Sequence, residues 1–188
     1  MPKRYLTVLL LLLAACDPRT GPADAYFLAT LNGAVEGDYA GSGSFAAGTL
    51  PSGRATVALA SMGSGSSTGE TFTFRVYGSR QIPVGTHALV LVADRDAQSS
   101  GVSAMYARQA TAYESFTADA GEVTVTRSTP DRVEGHFRFS GFRYCAQTEE
   151  NPANCTIPAS APAAAPRIEV TGSFSAAPMS RDVELGLP

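Results

Sequence analysis

Residues 71–76 read Thr-Phe-Thr-Phe-Arg-Val and alternate strictly between polar and apolar side chains. Successive side chains of a β-strand point to opposite faces of the sheet, so the two phenylalanines and the valine share one face. Residues 132–139, Arg-Val-Glu-Gly-His-Phe-Arg-Phe, repeat the pattern and turn His136 outward as a solvated strand residue. A period of two in both segments predicts strands that bury one face in a core.

The same alternation continues outward from these two segments and is broken by turn residues roughly every eight to twelve positions. No segment shows a convincing helical pattern. The predicted strands are Tyr26–Leu31, Val35–Phe45, Ala55–Met62, Glu70–Tyr77, Ala88–Ala93, Val102–Arg108, Tyr113–Thr117, Glu122–Arg127, Arg132–Tyr144 and Arg167–Phe174. We therefore predict an all-β fold, an antiparallel β-sandwich of about ten strands, with a partly closed β-barrel as the alternative.

The connections between these strands are predicted to be surface turns and loops. Asp119-Ala120-Gly121 and Pro130-Asp131 have the composition of tight hairpin turns. Two longer connections are Gly63 to Gly69, which is rich in Gly and Ser, and Gln147 to Pro166, which is rich in Pro and Ala. The segment 177–188 shows no sustained alternation and is predicted to be a flexible tail.

The first sixteen residues have the plan of an export signal. Lys3 and Arg4 precede an apolar run from Tyr5 to Leu13, which is shorter than the ~20 residues that a membrane-spanning helix needs. The run ends in Leu13-Ala14-Ala15-Cys16, which resembles the lipobox of bacterial lipoproteins. We predict a signal peptide over 1–15, a lipidated Cys16 with a tether over 16–24, and a single β-domain over 25–176; an ordinary secretory signal with an incidental Cys16 is the alternative.

These features predict a protein of the cell envelope that is held to a membrane by the lipid on Cys16, with its domain outside the cytoplasm. Cleavage before Cys16 leaves 12 arginines against 17 acidic residues, a formal net charge of −5. Nucleic-acid binding needs several basic residues on one face, and this acidic chain with no basic cluster gives it no support.

Cys145 and Cys155 lie ten positions apart in a polar segment of the predicted extracytoplasmic domain. Disulfides persist outside the cytosol, so we predict that these two cysteines form one. A metal site is the alternative, but the chain offers only His87 and His136 as histidine ligands to complete it, at no ligand-like spacing. We predict no metal and no cofactor.

Three other patterns in the sequence are candidate functional sites. Residues 65–69, Gly-Ser-Ser-Thr-Gly, match the nucleophile pattern of serine hydrolases, but no helix follows and the segment is Gly- and Ser-rich by composition. Asp94 and Asp96 flank Arg95 and lack the rest of a calcium loop. The tyrosines at 39, 77, 106, 113 and 144 and the arginines at 75, 80, 108 and 143 are either a recognition surface or, as we favour, residues in and around the core. We therefore predict that the protein is not an enzyme.

Several segments resemble a group of uncharacterised bacterial lipoproteins with a β-rich extracytoplasmic domain. They are Ala29 to Gly33, Ile82 to His87, Gly121 to Thr126, Arg132 to Phe139 and Val170 to Phe174. The resemblance implies a shared architecture but brings no established activity with it, and the loop Gln147 to Pro166 departs from it as an insertion. The leading hypothesis is a binding or structural module for another envelope protein or a surface polymer; the alternative is a carrier that holds a small apolar ligand or lipid in a β-barrel.

Overall fold

The structure is a computed structural model that describes residues 25–91, 101–110, 112–147 and 155–179. Within these residues the chain forms nine β-strands and one short 3₁₀ turn, Gly65–Ser67. The strands are β1 (Tyr26–Gly33), β2 (Gly37–Thr49), β3 (Ala55–Gly63), β4 (Glu70–Tyr77), β5 (Gly85–Ala88), β6 (Gly101–Gln109), β7 (Tyr113–Thr129), β8 (Arg132–Gln147) and β9 (Arg167–Pro178).

Eight of the strands close into a ring. Each pairs antiparallel with its neighbour in the order β1, β2, β3, β4, β6, β7, β8, β9, and β9 pairs with β1 from Tyr26↔Ser175 to Gly33↔Ile168. The prediction of an all-β antiparallel fold is confirmed. The predicted sandwich is corrected to a closed eight-stranded barrel, in line with the barrel alternative. Two separate sheets would leave edge strands unpaired, whereas here β1 pairs with β9 and β7 pairs with β8, which completes the ring.

Strand β7 differs from its prediction in a second way. The predicted strands Tyr113–Thr117 and Glu122–Arg127 are one continuous strand, and Asp119 to Gly121 is not a hairpin turn. Here β7 stops pairing with β6 and pairs instead with the short strand β5, with a register shift against β8 between Ala118 and Ala120. Gly121 has a φ of +129°, so the glycine that suggested a turn serves this bulge instead.

The interior of the barrel is filled mainly by aromatic rings. Phe27 is fully buried and has five aromatic neighbours, with ring centroids 5.1 to 6.1 Å away: Tyr39, Phe72, Phe74, Phe137 and Phe174. Small residues make room for these rings, and a side chain at Gly172 would collide with the Leu28 carbonyl and the ring of Phe137. Ring contacts at these distances build a single packed core.

Because neighbouring strands are antiparallel, the connections fall at two ends of the barrel. One end, which we call the mouth, carries the β1–β2, β3–β4, β6–β7 and β8–β9 connections. At the other end, which we call the tether end, β1 begins and β9 finishes. There β9 extends to Pro178, two residues into the predicted tail, and the Met179 amide donates to the Phe45 carbonyl at 2.8 Å.

The predicted signal peptide, Cys16 and the tether lie outside the described residues, as does the tail from residue 180. The predicted strand Ala88–Ala93 is described only as far as residue 91; the observed strand β5 precedes it and ends at Ala88. Among the residues that the structure describes, no helix has the length and apolar character needed to span a membrane.

Candidate functional site at the mouth of the barrel

Charged side chains gather on the inner face of the barrel at its mouth. Glu70 is two residues from the buried Phe72 on β4, so alternation places both side chains on the inner face. By the same reasoning Arg108 shares the inner face of β6 with Tyr106, and Glu114 shares that of β7 with Phe116. Register confirms the arrangement, because Glu70 pairs with Arg108 and Arg108 pairs with Glu114.

Glu114 lies at the centre of this group. Its carboxylate accepts hydrogen bonds from Arg108 (Nε to Oε2, 2.7 Å) and Arg143 (Nη1 to Oε1, 2.5 Å), and Arg108 Nη2 is 2.6 Å from Oε2. Burial raises the pKa of Glu114, since only 12% of its side chain is exposed, but the hydrogen bonds from the two arginines outweigh burial and hold the pKa below its usual value. Glu114 therefore stays ionised and fixes both guanidinium groups.

Two buried tyrosine hydroxyls lie beneath the charged group. Tyr39 is hydrogen-bonded to Ser61, which is also buried, and burial raises the pKa of Tyr39. Tyr106 is fully buried, and its hydroxyl has no hydrogen-bond partner among the described residues. Burial raises the pKa of Tyr106, and the negative charge of Glu70 raises it further, although the two groups do not meet with hydrogen-bond geometry.

We call these seven residues the mouth cluster: Tyr39, Ser61, Glu70, Tyr106, Arg108, Glu114 and Arg143. Its two carboxylates and two guanidinium groups balance in formal charge. The partly exposed Arg108 and Arg143 offer hydrogen-bond donors on rigid strands, whereas the three hydroxyls are buried, and Arg is a residue type that anchors protein interfaces. Such an arrangement is suited to recognition of a polar group. Its three hydroxyls have no adjacent histidine base that would activate a nucleophile.

The predicted disulfide lies beside the mouth cluster. Cys145 is two residues beyond Arg143 on β8, and it lies at disulfide distance from Cys155, with the Cα atoms 5.0 Å apart. The Arg143 amide also donates to the Pro166 carbonyl at 2.8 Å, so both ends of the described part of the β8–β9 connection are held to β8. The cysteines thus join the long loop to the strand that carries Arg143.

The other sequence candidates are spread over the fold. Residues 65–67 of the Gly-Ser stretch form the 3₁₀ turn between β3 and β4, and a strand rather than a helix follows. His136 is exposed on the outer face of β8, as predicted, and His87 Nε2 is 2.8 Å from the Pro83 carbonyl oxygen. Asp94 and Asp96 lie outside the described residues.

The tyrosines and arginines predicted to form either a recognition surface or part of the core lie in both kinds of place. Tyr39, Tyr77 and Tyr106 are buried, which agrees with the favoured interpretation for them, whereas Tyr113 is exposed at the mouth. Arg108 and Arg143 converge on one carboxylate.

Sequence reasoning did not single out Glu70 or Glu114. A signal was present, because each lies two positions from a phenylalanine in a predicted strand and so must share its face. The pairing of Glu114 with Arg108 was also implied by the short β6–β7 connection, which places residues six apart opposite one another.

Within the described ranges, no three His, Cys, Asp or Glu side chains gather as a metal-binding group. Comparison of the chain with protein-family models, with curated proteins and with solved structures finds no significant match. The mouth cluster and the closed barrel are the structural features that bear on function.

Proposed function

We propose that the protein is a non-enzymatic envelope lipoprotein, anchored by a lipid on Cys16, that presents the mouth of its barrel to another envelope protein or a surface polymer. The anchor is inferred from residues 1–16, whose charges, apolar run and cysteine follow the lipoprotein signal plan. Several acyl chains on one cysteine make such anchoring stable.

The position of the mouth cluster is the observation that carries the binding role. The chain enters the barrel at Tyr26, at the tether end, while Arg108, Glu114 and Arg143 lie at the opposite end. A domain tethered at one end leaves the other end accessible to a partner. The aromatic packing around Phe27 supports a rigid scaffold beneath that surface.

The anchor is tested by feeding bacteria that produce the full chain a clickable palmitate analogue. The wild-type protein should carry the label, and Cys16→Ser should abolish it. Cys155→Ser is the matched control, because it removes a cysteine at disulfide distance from its partner and should leave the label in place. Equal labelling of the wild type and Cys16→Ser would refute the anchor.

The binding surface is tested by photo-crosslinking in the producing cells. A photoreactive phenylalanine analogue replaces Tyr113, which is exposed at the mouth, or Pro51, which is exposed in the β2–β3 turn at the tether end. A discrete adduct is expected from position 113 and not from position 51. Adducts from position 51 alone would place the partner at the wrong end and overturn the proposal.

A carrier of a small apolar ligand is the second candidate, and the closed barrel is the observation that favours it. The ligand would have to displace some of the rings around Phe27, because their centroids are only 4.8 to 6.5 Å apart. Native mass spectrometry of protein purified from cells distinguishes the two functions. A reproducible added mass that disappears on denaturation would favour the carrier.

A further inference from the structure

Three large apolar side chains are exposed together on the outer wall of the barrel. Tyr26 and Leu28 on β1 and Met62 on β3 have 42%, 49% and 73% of their surface exposed. Leu28 pairs with Ala40 on β2, and Ser42, two residues along the same face, pairs with Met62. We call these five residues the apolar patch.

The patch is contiguous because β2 contributes only small side chains between the larger ones. Strands lie about 4.8 Å apart, so β1 and β3 are separated by roughly 10 Å with Ser42 between Tyr26 and Met62. The outward neighbours of the patch on β9, β3 and β4 are Ser173, Ser175, Ala60 and Thr71, none of which ionises. A wall of this kind is a candidate docking surface.

Charged groups mark the limits of the patch. Asp38 lies towards the mouth, beyond Ala40, and accepts a hydrogen bond from Thr30 at 2.9 Å. On the β9 side, Arg132 donates to Ser175 at 3.1 Å, with Glu134 beside it. An open depression next to Leu28 is lined by Thr30, Asp38, Ala40 and Ser173.

We propose that the apolar patch rests on the lipid bilayer that holds the anchor, so that the barrel lies with this wall against the membrane surface. This inference rests on the lipid at Cys16 that is part of the proposed function. The ten residue-to-residue steps from Cys16 to Tyr26 span at most about 36 Å when extended, and they end on the patch itself. The tether therefore joins the barrel at this wall, through Tyr26.

The chemistry of the patch suits an interfacial lipid surface. Tyrosine is enriched at the boundary between headgroups and acyl chains, and leucine and methionine insert their side chains into the apolar layer. None of the five patch residues is charged, so their contact with the bilayer places no charged side chain in the apolar layer. A second copy of the chain is a poorer occupant, since three partly exposed side chains offer only a few hundred Å² against roughly 800 Å² per partner in a standard interface.

The sequence contains no tryptophan, so one introduced residue reports its own surroundings. The full-length protein is produced with Met62→Trp, on the patch, or with Val84→Trp, at a position that is 62% exposed between β4 and β5 at the tether end. Each is reconstituted into phosphatidylethanolamine–phosphatidylglycerol vesicles whose acyl chains carry bromine, a contact quencher. Flotation of the vesicles measures anchoring independently of the fluorescence.

We expect both variants to float with the vesicles, and the tryptophan at position 62 alone to shift to shorter wavelength and lose most of its emission. Adding Tyr26→Ser and Leu28→Ser to Met62→Trp should restore the emission without loss of flotation, and circular dichroism checks that this variant is folded. Flotation without quenching at position 62 would overturn the docking proposal and leave the anchor intact, as would quenching at position 84 alone. Failure to float would overturn both. A blue shift at position 62 in detergent that grows with protein concentration would instead assign the patch to a second copy.

Discussion

Replacing Tyr106 by phenylalanine should stabilise the barrel. The Tyr106 side chain is fully buried, and its hydroxyl has no hydrogen-bond partner among the described residues. A buried polar group without a partner costs about 1 to 3 kcal/mol of stability, because it loses water on folding and gains nothing in return. Phenylalanine keeps the ring, which packs against Phe72 with centroids 4.9 Å apart and against Phe116 at 6.1 Å.

We expect Tyr106→Phe to raise the free energy of unfolding by about 1 kcal/mol, the lower end of that range, because the small space left by the oxygen offsets part of the gain. For a domain of this size that corresponds to a rise in Tm of roughly 2 to 4 °C. Urea denaturation followed by far-UV circular dichroism measures the free energy, and differential scanning calorimetry measures Tm.

Tyr39→Phe is the matched control, because it removes the same atom from a hydroxyl that has a partner. Ser61 is buried and hydrogen-bonded to Tyr39, so Tyr39→Phe removes the partner of the buried Ser61 hydroxyl. We expect Tyr39→Phe to lower the free energy of unfolding by about 1 to 2 kcal/mol. The two substitutions should therefore have opposite signs.

The pH dependence gives an independent check on Tyr106. Burial, with the charge of Glu70, raises the pKa of Tyr106 in the folded protein, so above pH ~10 the unfolded chain loses this proton first. The wild-type protein then loses stability as the pH rises, and Tyr106→Phe should escape that part of the loss. Destabilisation by Tyr106→Phe at neutral pH as large as that by Tyr39→Phe would refute the reasoning, because it would mean that the Tyr106 hydroxyl is satisfied.

Three further substitutions test other parts of the fold by urea denaturation. Glu114→Gln should lower the free energy of unfolding by about 1 to 2 kcal/mol at pH 7. The difference from the wild type should shrink as the pH falls below ~4, because Glu114 is protonated there despite its lowered pKa, and a difference independent of pH would contradict the ion-pair assignment. Gly172→Ala should cost about 2 kcal/mol, because its methyl group would collide with Phe137, whereas Gly48→Ala has open space and should be neutral; equal effects would contradict the packing. Cys155→Ser should cost roughly 2 to 3 kcal/mol, and a reductant should lower the wild type to the same level and leave the variant unchanged.

The strands were predictable because their signal is local. Alternation in residues 71–76 and 132–139 identified the inner faces of β4 and β8, and Phe72, Phe74, Phe137 and Phe139 are all in the core. Barrel closure was not predictable in the same way. It depends on hydrogen bonds between β1 and β9, whose paired residues lie 135 to 149 positions apart in sequence. Alternation is the same whether such strands pair or remain edges.

The mouth cluster was predictable only in part. Arg108, Arg143, Tyr39 and Tyr106 were considered from the sequence as one possible recognition surface, but nothing local to Arg143 shows that it meets Glu114, 29 positions away. That contact arises from the pairing of β7 with β8. At Asp119 to Gly121 the local sequence was misleading instead, because residues typical of a turn form a bulge within the continuous strand β7.

The β1–β9 ladder also determines when the barrel can close during synthesis. A chain synthesised from its amino terminus presents Tyr26 long before Ser175, its pairing partner 149 positions further along. Until then β1 has one unoccupied edge, and the ring cannot be completed by any shorter product. Synthesis that stops before β9 would therefore yield an open sheet with two exposed edges, at β1 and β8, which favours proteolysis and edge-to-edge aggregation.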